Sequence, residues 1–338
     1  MIVLGIESSC DETAAALVEN DNIILSSVIA SQTDIHNKYG GVVPEIASRM
    51  HIEAIVPVIK ETLFKAKLSI KKIDGVAATR GPGLIGALLI GFSFAKAFAY
   101  ARNLKFVGVN HLEGHIYSSF LSENIPAFPF ISLVASGGHT NIYYVDSYDN
   151  FELMGQTRDD AVGEAFDKVS KMMGLGYPGG IVIEEMAKKG DHKKIHFPRT
   201  YLDKESFDFS FSGIKSAVLR FITEHSENLD ALKYDIAAGF QASVLDVLKT
   251  KLINACLQRK CTSIAITGGV AANQTFYQQL VKDTQKLGIK IFAPKKELCG
   301  DNAAMIAARG YRLLLNNNYS KFDHDVFSRN KIDPIGLK

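Results

Sequence analysis

The sequence predicts an α/β protein built from two related units. Three observations carry this. The chain is 338 residues long, enough for about two domains. Short apolar strands alternate with segments of helical period through the first third. A buried strand, a small polar turn and a β-branched return strand open the sequence, and the same arrangement returns around Ser136.

The elements follow in order. Ile2–Glu7 is an apolar strand, residues 13–19 its hairpin partner, and residues 8–12 the turn between them. A third strand covers 23–29. Pro44–Ala66 places Ile46, Ile52, Ile55, Val56, Ile59 and Leu63 at helical spacing. Residues 73–79 form a short buried strand, Gly81-Pro82-Gly83 a turn, and a Gly/Ala-rich helix runs on to 101. A strand at 106–109 leads into a helix at 111–121. Strands 130–134 and 141–145 form the second hairpin-like pair, with residues 135–140 between them. Residues 151–260 read mainly as helix. Ser263–Thr267 is a strand, followed by Gly268-Gly269 and a helix. A strand at 289–293 and a helix at 302–316 complete the pattern. The expected division is a first lobe at 1–110, with a C-terminal helix at 302–325 packing back on it, a second lobe at 111–301, and a loosely held tail at 326–338.

Composition narrows the function classes. The formal net charge is +2, with 22% charged and 47% hydrophobic residues. That excludes global disorder and an overtly basic nucleic-acid binder, while leaving room for a local patch. The N-terminus has no basic leader and carries an acid at Glu7, so no signal peptide is expected. The most apolar stretch, 83–101, holds Ser93 and Lys96 and reads as a buried helix, so no membrane span is expected. Four cysteines without a C-x-x-C pair point to a reducing cytoplasm.

Several motifs carry chemistry. His111 and His115 are four residues apart, on one helix face, where both imidazoles reach one metal ion. A zinc peptidase of the H-E-x-x-H kind needs a glutamate directly after the first histidine, and Leu112 stands there. Glu113 lies about 200° around the helix from His111 and points away. Asp301, at a strand-to-helix corner, completes a two-His-one-carboxylate set, or caps the helix that follows, or both. Ser8-Ser9-Cys10-Asp11-Glu12-Thr13 packs hydroxyls and acids at the mouth of a buried strand. Its Ser9 hydroxyl and backbone N–H groups suit a phosphate, and Asp11 or Glu12 suits a base. Ser136-Gly137-Gly138 offers backbone donors without side-chain obstruction. Gly268 to Asn273 opens a helix where an anion could approach. Lys188 to Arg199 is locally basic and is either a solvated face or a phosphate-backbone contact.

Together these motifs resemble the bacterial TsaD family, known earlier as YgjD or Gcp and once labelled O-sialoglycoprotein endopeptidase. The matching stretches are GIESSCDETAAAL (5–17), YGGVVPEIASRMH (39–51), GPGLIGALLIG (81–91), HLEGH (111–115), SGGHT (136–140), DDAVGEAFDKVSKMMGLGYPGG (159–180), FPR (197–199), DFSFSGIK (208–215), TGGVAAN (267–273) and DNAAMIA (301–307). The chain departs from the family pattern at Ile181, where proline is usual, at Gly300, where threonine is usual, and in GGVAANQ against GGVSANR.

The resemblance implies an actin/Hsp70/sugar-kinase-like (ASKHA) α/β fold of two lobes with a central cleft. It implies a cytoplasmic acyltransferase that moves a threonylcarbamoyl group from threonylcarbamoyl-AMP to N6 of adenosine 37 in tRNAs reading ANN codons, giving t6A. It assigns His111, His115 and Asp301 to one divalent metal ion per chain, iron ahead of zinc. It assigns Val134, Ala135, Ser136, Gly137, Gly138, Asp167, Gly180, Glu184 and Asn273 to the adenylate, and Asp11 and Glu12 to activity. The implied partners are tRNA, a TsaB-like paralogue, a TsaE-like ATPase and a TsaC-like synthase upstream. The competing classes are a metal-dependent peptidase, an ATPase or kinase-like protein on the same fold, and a binding subunit without chemistry of its own.

Overall fold

A computed structural model describes residues 1–203 and 206–329. The chain divides into two compact units, Met1–Ile125 with Pro294–Lys338, and Pro126–Ala293. Each is built on a five-stranded mixed sheet.

The first unit begins with β1 (Ile2–Glu7), β2 (Glu12–Glu19) and β3 (Ile23–Ser31), an antiparallel meander. The short α1 (Thr33–Asn37) and the long α2 (Pro44–Ala66) follow. Proline in the first turn of α2 suits the helix start, since its missing N–H would be unbonded there anyway. Then come β4 (Gly75–Gly81), α3 (Ile85–Ala101), β5 (Lys105–Asn110) and α4 (His111–Ser118). Strands β4 and β5 pair parallel to β1, giving the order β3-β2-β1-β4-β5.

The second unit repeats this scheme. Strands β6 (Phe130–Ala135), β7 (Thr140–Ser147) and β8 (Asn150–Gln156) form its meander. Four helices follow: α5 (Val162–Met172), α6 (Gly179–Ala187), α7 (Ser212–Glu224) and α8 (Leu229–Gln258). Strand β9 (Ser263–Thr267), α9 (Gln274–Gln285) and β10 (Lys290–Phe292) complete it. Strands β9 and β10 continue from β6 in parallel, so the order β8-β7-β6-β9-β10 is that of the first sheet. The chain then returns to the first unit with α10 (Ala303–Leu315).

Period-two alternation explains how the first sheet is covered. Leu4 and Ile6 of β1 join Ile55, Val58 and Ile59 of α2 and Phe92, Ala95 and Ala99 of α3 in one buried cluster. Gly5 points to the other face, where α10 packs so closely that a Cβ would lie 2.2 Å from the Ala303 carbonyl oxygen. Gly310 of α10 answers it, since a Cβ there would meet that of Ala77 at 2.2 Å.

The structure corrects several expectations. The units divide at 125/126 and 293/294 rather than at 110/111 and 301/302. The reason is that α4 packs on α10, through a buried Glu113–Arg309 pair and the close seat of Gly114 against Ile306. The final helix ends at Leu315, in line with the helical reading of 302–316 and short of the 325 used in the expected division. The segment 151–260 contains β8, and 188–211 is irregular rather than helical. The described part of the expected loose tail is bonded. Phe327 N donates to Arg80 O, and Ser328 O accepts from Gly83 N. Upstream, Ser320 N donates to Phe106 O of β5, Phe322 stacks on Phe106, and Lys96 holds the carbonyls of Phe322 and His324. Residues 330–338 of the expected tail lie outside the described residues. Among the described residues no helix is long and apolar enough to cross a membrane.

Candidate functional site

In the first unit the chemistry gathers at the carboxyl ends of the parallel strands, where α/β sheets commonly place ligands. The end of β5 turns directly into α4, whose N-cap Asn110 accepts from the backbone N–H of Leu112. This cap fixes the first turn, and with it the azimuth of His111 and His115. Asp301 precedes α10 and faces both rings. Its Oδ1 is 3.5 Å from His111 Nε2 and 3.2 Å from His115 Nε2. The three prospective ligand atoms lie within 4.8 Å of one another. Asp301 is not the helix cap. Asn302 takes that role, accepting from Met305 N.

The surroundings of the rings match a metal site. Glu7, at the end of β1, is fully buried and sits 3.0 Å from His111 Nδ1, with Ser9 Oγ 3.3 Å from the same nitrogen. An ionised carboxylate only accepts, so Nδ1 carries a hydrogen, and Nε2, which faces Asp301, is the ring nitrogen that a metal ion would take in place of a proton. Burial acts to raise Glu7, but the charge and hydrogen bond of His111 outweigh it and hold its carboxyl below the ordinary value. Burial likewise opposes a charged His111, yet Asp301 and Glu7 push it up to about 9. A cation is therefore favoured at this point even before any metal is considered. His115 is fully buried, burial holds its pKa down, and its Nδ1 has no hydrogen-bond partner while Nε2 meets only Asp301. A buried neutral imidazole left unbonded costs free energy unless something coordinates it. Two Nε2 atoms and one carboxylate oxygen form a donor set suited to a divalent transition metal.

The acidic turn lies beside this group. Asp11 is buried, and the Glu12 carboxyl is pushed up to about 9 by burial, then by the charges of Asp11 and Asp301. Glu12 also hydrogen-bonds Asp11, and with its carboxyl held near 9 it carries its proton at neutral pH. Burial and the same acids keep the Cys10 thiol protonated and unreactive. Glu113 faces away from the histidines, as its helical azimuth predicts. Its carboxylate binds Arg309 Nε at 2.5 Å in a buried pair. Glu113 therefore cannot serve this group as the general base of a zinc peptidase.

In the second unit the residues named from the sequence also gather at strand ends and helix N-termini. Val134 and Ala135 end β6 and are buried, and β9 runs parallel beside them. Gly268, after β9, has φ +85° and sits where a Cβ would lie 2.3 Å from Ala135 O. Ser136 is nearly buried, whereas a Cβ on Gly137 or Gly138 would meet nothing. The Ser136–Gly138 turn rests on the start of α5, where Gly163 N donates to Ser136 O. Asp167 accepts from Gly179 N at 2.7 Å and so fixes the start of α6, where Gly180 faces open space. Asn273 caps α9 by accepting from Phe276 N, and its amide donates to Gln241. One oxygen of Glu184 accepts from Gln274 N and Thr275 N. Glu184 therefore braces α9, an employment the sequence did not reveal. Ile181 is exposed in the first turn of α6, and Gly300 has open space around it, so neither departure disturbs the packing.

Three residues of the basic stretch are ion-paired. Lys188 meets Glu185, Lys194 meets Asp235, and Arg199 meets Asp246. Sequence reasoning missed Glu7 and Arg309, although each left a signal: a lone charge inside an apolar run.

The chain matches the TsaD family model, described as tRNA N6-adenosine threonylcarbamoyltransferase, over residues 23–308. A protein of that name from Desulforapulum autotrophicum is 60% identical over 98% of this chain and 99% of its own length. One from Syntrophus aciditrophicus is 50% identical over 99% of each. The chain belongs to the TsaD family. With that membership it is a tRNA-modifying acyltransferase, and the peptidase and kinase-like classes are not favoured. Among solved structures, full-length HypF in its phosphate- and nucleotide-bound form superposes with TM-score 0.63 at 13% identity, over 94% of this chain and 56% of HypF. Component A of the Acidaminococcus fermentans (R)-2-hydroxyglutaryl-CoA dehydratase gives TM-score 0.54 at 17% identity, over 92% and 98%. At these identities the likeness concerns the fold, which is the ASKHA-type α/β fold that the resemblance implied.

Proposed function

We propose that the chain transfers the threonylcarbamoyl group of threonylcarbamoyl-AMP to N6 of adenosine 37 in tRNAs that read ANN codons. The observation that carries this reading is the His111–His115–Asp301 group beside the acid pair Asp11–Glu12, in a chain whose full-length relatives bear that one activity.

The chemistry is acyl transfer. The N6 amine attacks the carbamoyl carbon, a C–N bond forms, the C–O bond to phosphate breaks, and AMP leaves. N6 loses one proton. The amine is a weak nucleophile because its lone pair is delocalised into the ring, so removal of that proton matters. The Asp11–Glu12 pair takes it: Glu12, held near 9, already carries its own proton at neutral pH, so it stands as a hydrogen-bond donor and its neighbour Asp11 is the acceptor. Ser9 and the N–H groups of Ser136, Gly137 and Gly138 bind anionic oxygen. Asp167, Gly180 and Asn273, with Val134 and Ala135, hold the nucleotide, and Glu184 keeps α9 in place for it. His111, His115 and Asp301 would hold one divalent ion, iron ahead of zinc, which when bound supplies Lewis-acid charge for a developing oxyanion.

A TsaC-like synthase supplies the adenylate, and a TsaB-like paralogue and a TsaE-like ATPase assist in the cytoplasm. Because the chain is nearly neutral overall and three residues of the basic stretch at 188–199 are already ion-paired, tRNA affinity of the isolated chain is weak and partner surfaces share the contact. Nucleoside mass spectrometry of tRNA after depletion of this protein tests the reading. Loss of t6A is expected, and unchanged t6A overturns it.

A further inference from the structure

The acidic turn is held by its backbone. Three consecutive carbonyls are each bound by a donor from another element. Ser9 O accepts from Leu84 N at 2.8 Å, Asp11 O accepts from Gln32 N at 3.1 Å, and Cys10 O accepts from His51 Nε2 at 3.0 Å. The first and last donors are backbone groups. The middle one is a side chain, reaching from α2 on the far side of the turn.

The geometry points to His51 as the positioning residue of this turn, fixing the Cys10–Asp11 peptide and so the direction in which Asp11 and Glu12 present their carboxyl groups. His51 is fully buried. A carbonyl only accepts, so Nε2 carries the ring hydrogen. Nδ1 then holds a lone pair, and it receives the Thr13 hydroxyl hydrogen at 2.8 Å. Thr13 follows Glu12 directly and lies on β2. One imidazole thus ties both flanks of the acid pair in a single tautomer. Burial lowers the pKa of His51 and keeps the ring neutral, as this arrangement requires. A second histidine supports the same edge. His36 Nε2 donates to Gln32 Oε1 at 3.1 Å, while Val43 N donates to its Nδ1 at 3.3 Å, so Gln32 is held by a ring of equally fixed tautomer. None of these side chains belongs to the metal group.

This inference rests on the proposed role of Asp11 and Glu12, and its test separates the two. Transfer to tRNA is measured with partner proteins present for wild type, His51→Ala, Glu12→Gln and the double variant, together with metal per chain and the thermal midpoint. His51→Ala is expected to lower kcat about 30-fold, with KM for tRNA and metal content unchanged. The double variant should be no slower than Glu12→Gln alone, because both act through one group. Thr13→Val, which keeps the shape of β2 while removing the hydroxyl, should lower kcat in the same direction by less. It serves as the readout if His51→Ala does not fold. Losses that multiply in the double variant, or a Thr13→Val enzyme with wild-type kcat, overturn the positioning role. A Glu12→Gln enzyme of wild-type rate overturns the catalytic reading of the turn instead.

Discussion

The buried pair Glu113–Arg309 joins α4, which carries His111 and His115, to α10, which follows Asp301. Arg309 is 1% exposed and Glu113 8%. The guanidinium Nε donates to Glu113 at 2.5 Å, Nη1 donates to the Tyr117 hydroxyl at 3.3 Å, and the group lies over the Tyr117 ring. Glu113→Gln keeps the shape and removes the charge, leaving a guanidinium in the core opposite a neutral amide. Breaking one side of such a pair costs about 3–5 kcal/mol. With roughly 3 °C lost per kcal/mol for a unit of this size, the midpoint should fall by about 12 °C. Replacing both partners, as Glu113→Leu with Arg309→Met, removes both charges at similar volume. That variant should regain most of the loss, apart from about 1 kcal/mol for the bond to Tyr117. The assay is scanning calorimetry in the presence of chelator, so that bound metal adds nothing to either state. A fall under 3 °C for Glu113→Gln, or a double variant as unstable as the sum of the two single ones, would refute the view that this pair is a desolvated tie between the two helices.

Three further outcomes are expected. His115→Ala should abolish stoichiometric binding of iron or zinc at neutral pH, measured by elemental analysis of the desalted protein; retention of one ion per chain would remove His115 from the ligand set. Gly268→Ala forces an L-residue to φ +85° with its Cβ 2.3 Å from Ala135 O and should cost at least about 2 kcal/mol. Gly137→Ala meets open space and should change stability by under about 0.5 kcal/mol, while reducing transfer if its N–H binds the adenylate; equal midpoints for the two variants would contradict the packing. Burial acts to raise Asp160, but hydrogen bonds from Lys168 and Lys215 outweigh it and hold its carboxyl below the ordinary value. Its folded pKa lies under the unfolded one, so it stabilises above about pH 4 and that contribution fades as pH falls through the folded value. Asp160→Asn should therefore flatten the acid limb of a stability–pH curve, and an unchanged acid limb would show that these pairs contribute nothing.

Elements with a strong local signal were legible in the sequence. Helix α2 begins and ends where its period and Pro44 indicate, because one face must bury Ile55 and Ile59. The interior Pro57 did not stop it, since packing outweighed local propensity. Strand β8 was hidden by Leu153, Met154 and Glu152, which favour helix in isolation. Only pairing with β7 makes that segment a strand. At the site, the histidine spacing shows itself within one helical turn. Asp301 lies far along the chain, and spacing alone could offer it only as a candidate. Glu7 and Arg309 act through tertiary contacts with α4, which no local pattern encodes. The clamp of His51 on Cys10 is likewise a contact across 41 positions.

Strand β5 is the last strand of its sheet, and such an edge displays unpaired N–H and C=O groups to any other chain that passes. The segment running from Tyr319 to Ser328 covers this edge, taking the Phe106 carbonyl with Ser320 N and the Gly108 N–H with Ser320 Oγ, and laying Phe322 over Phe106. It works as a guard against self-recruitment. A chain shortened after Leu315 would keep every proposed ligand and catalytic group and still be a poor reagent, because its bare β5 would seek a strand from a neighbouring copy.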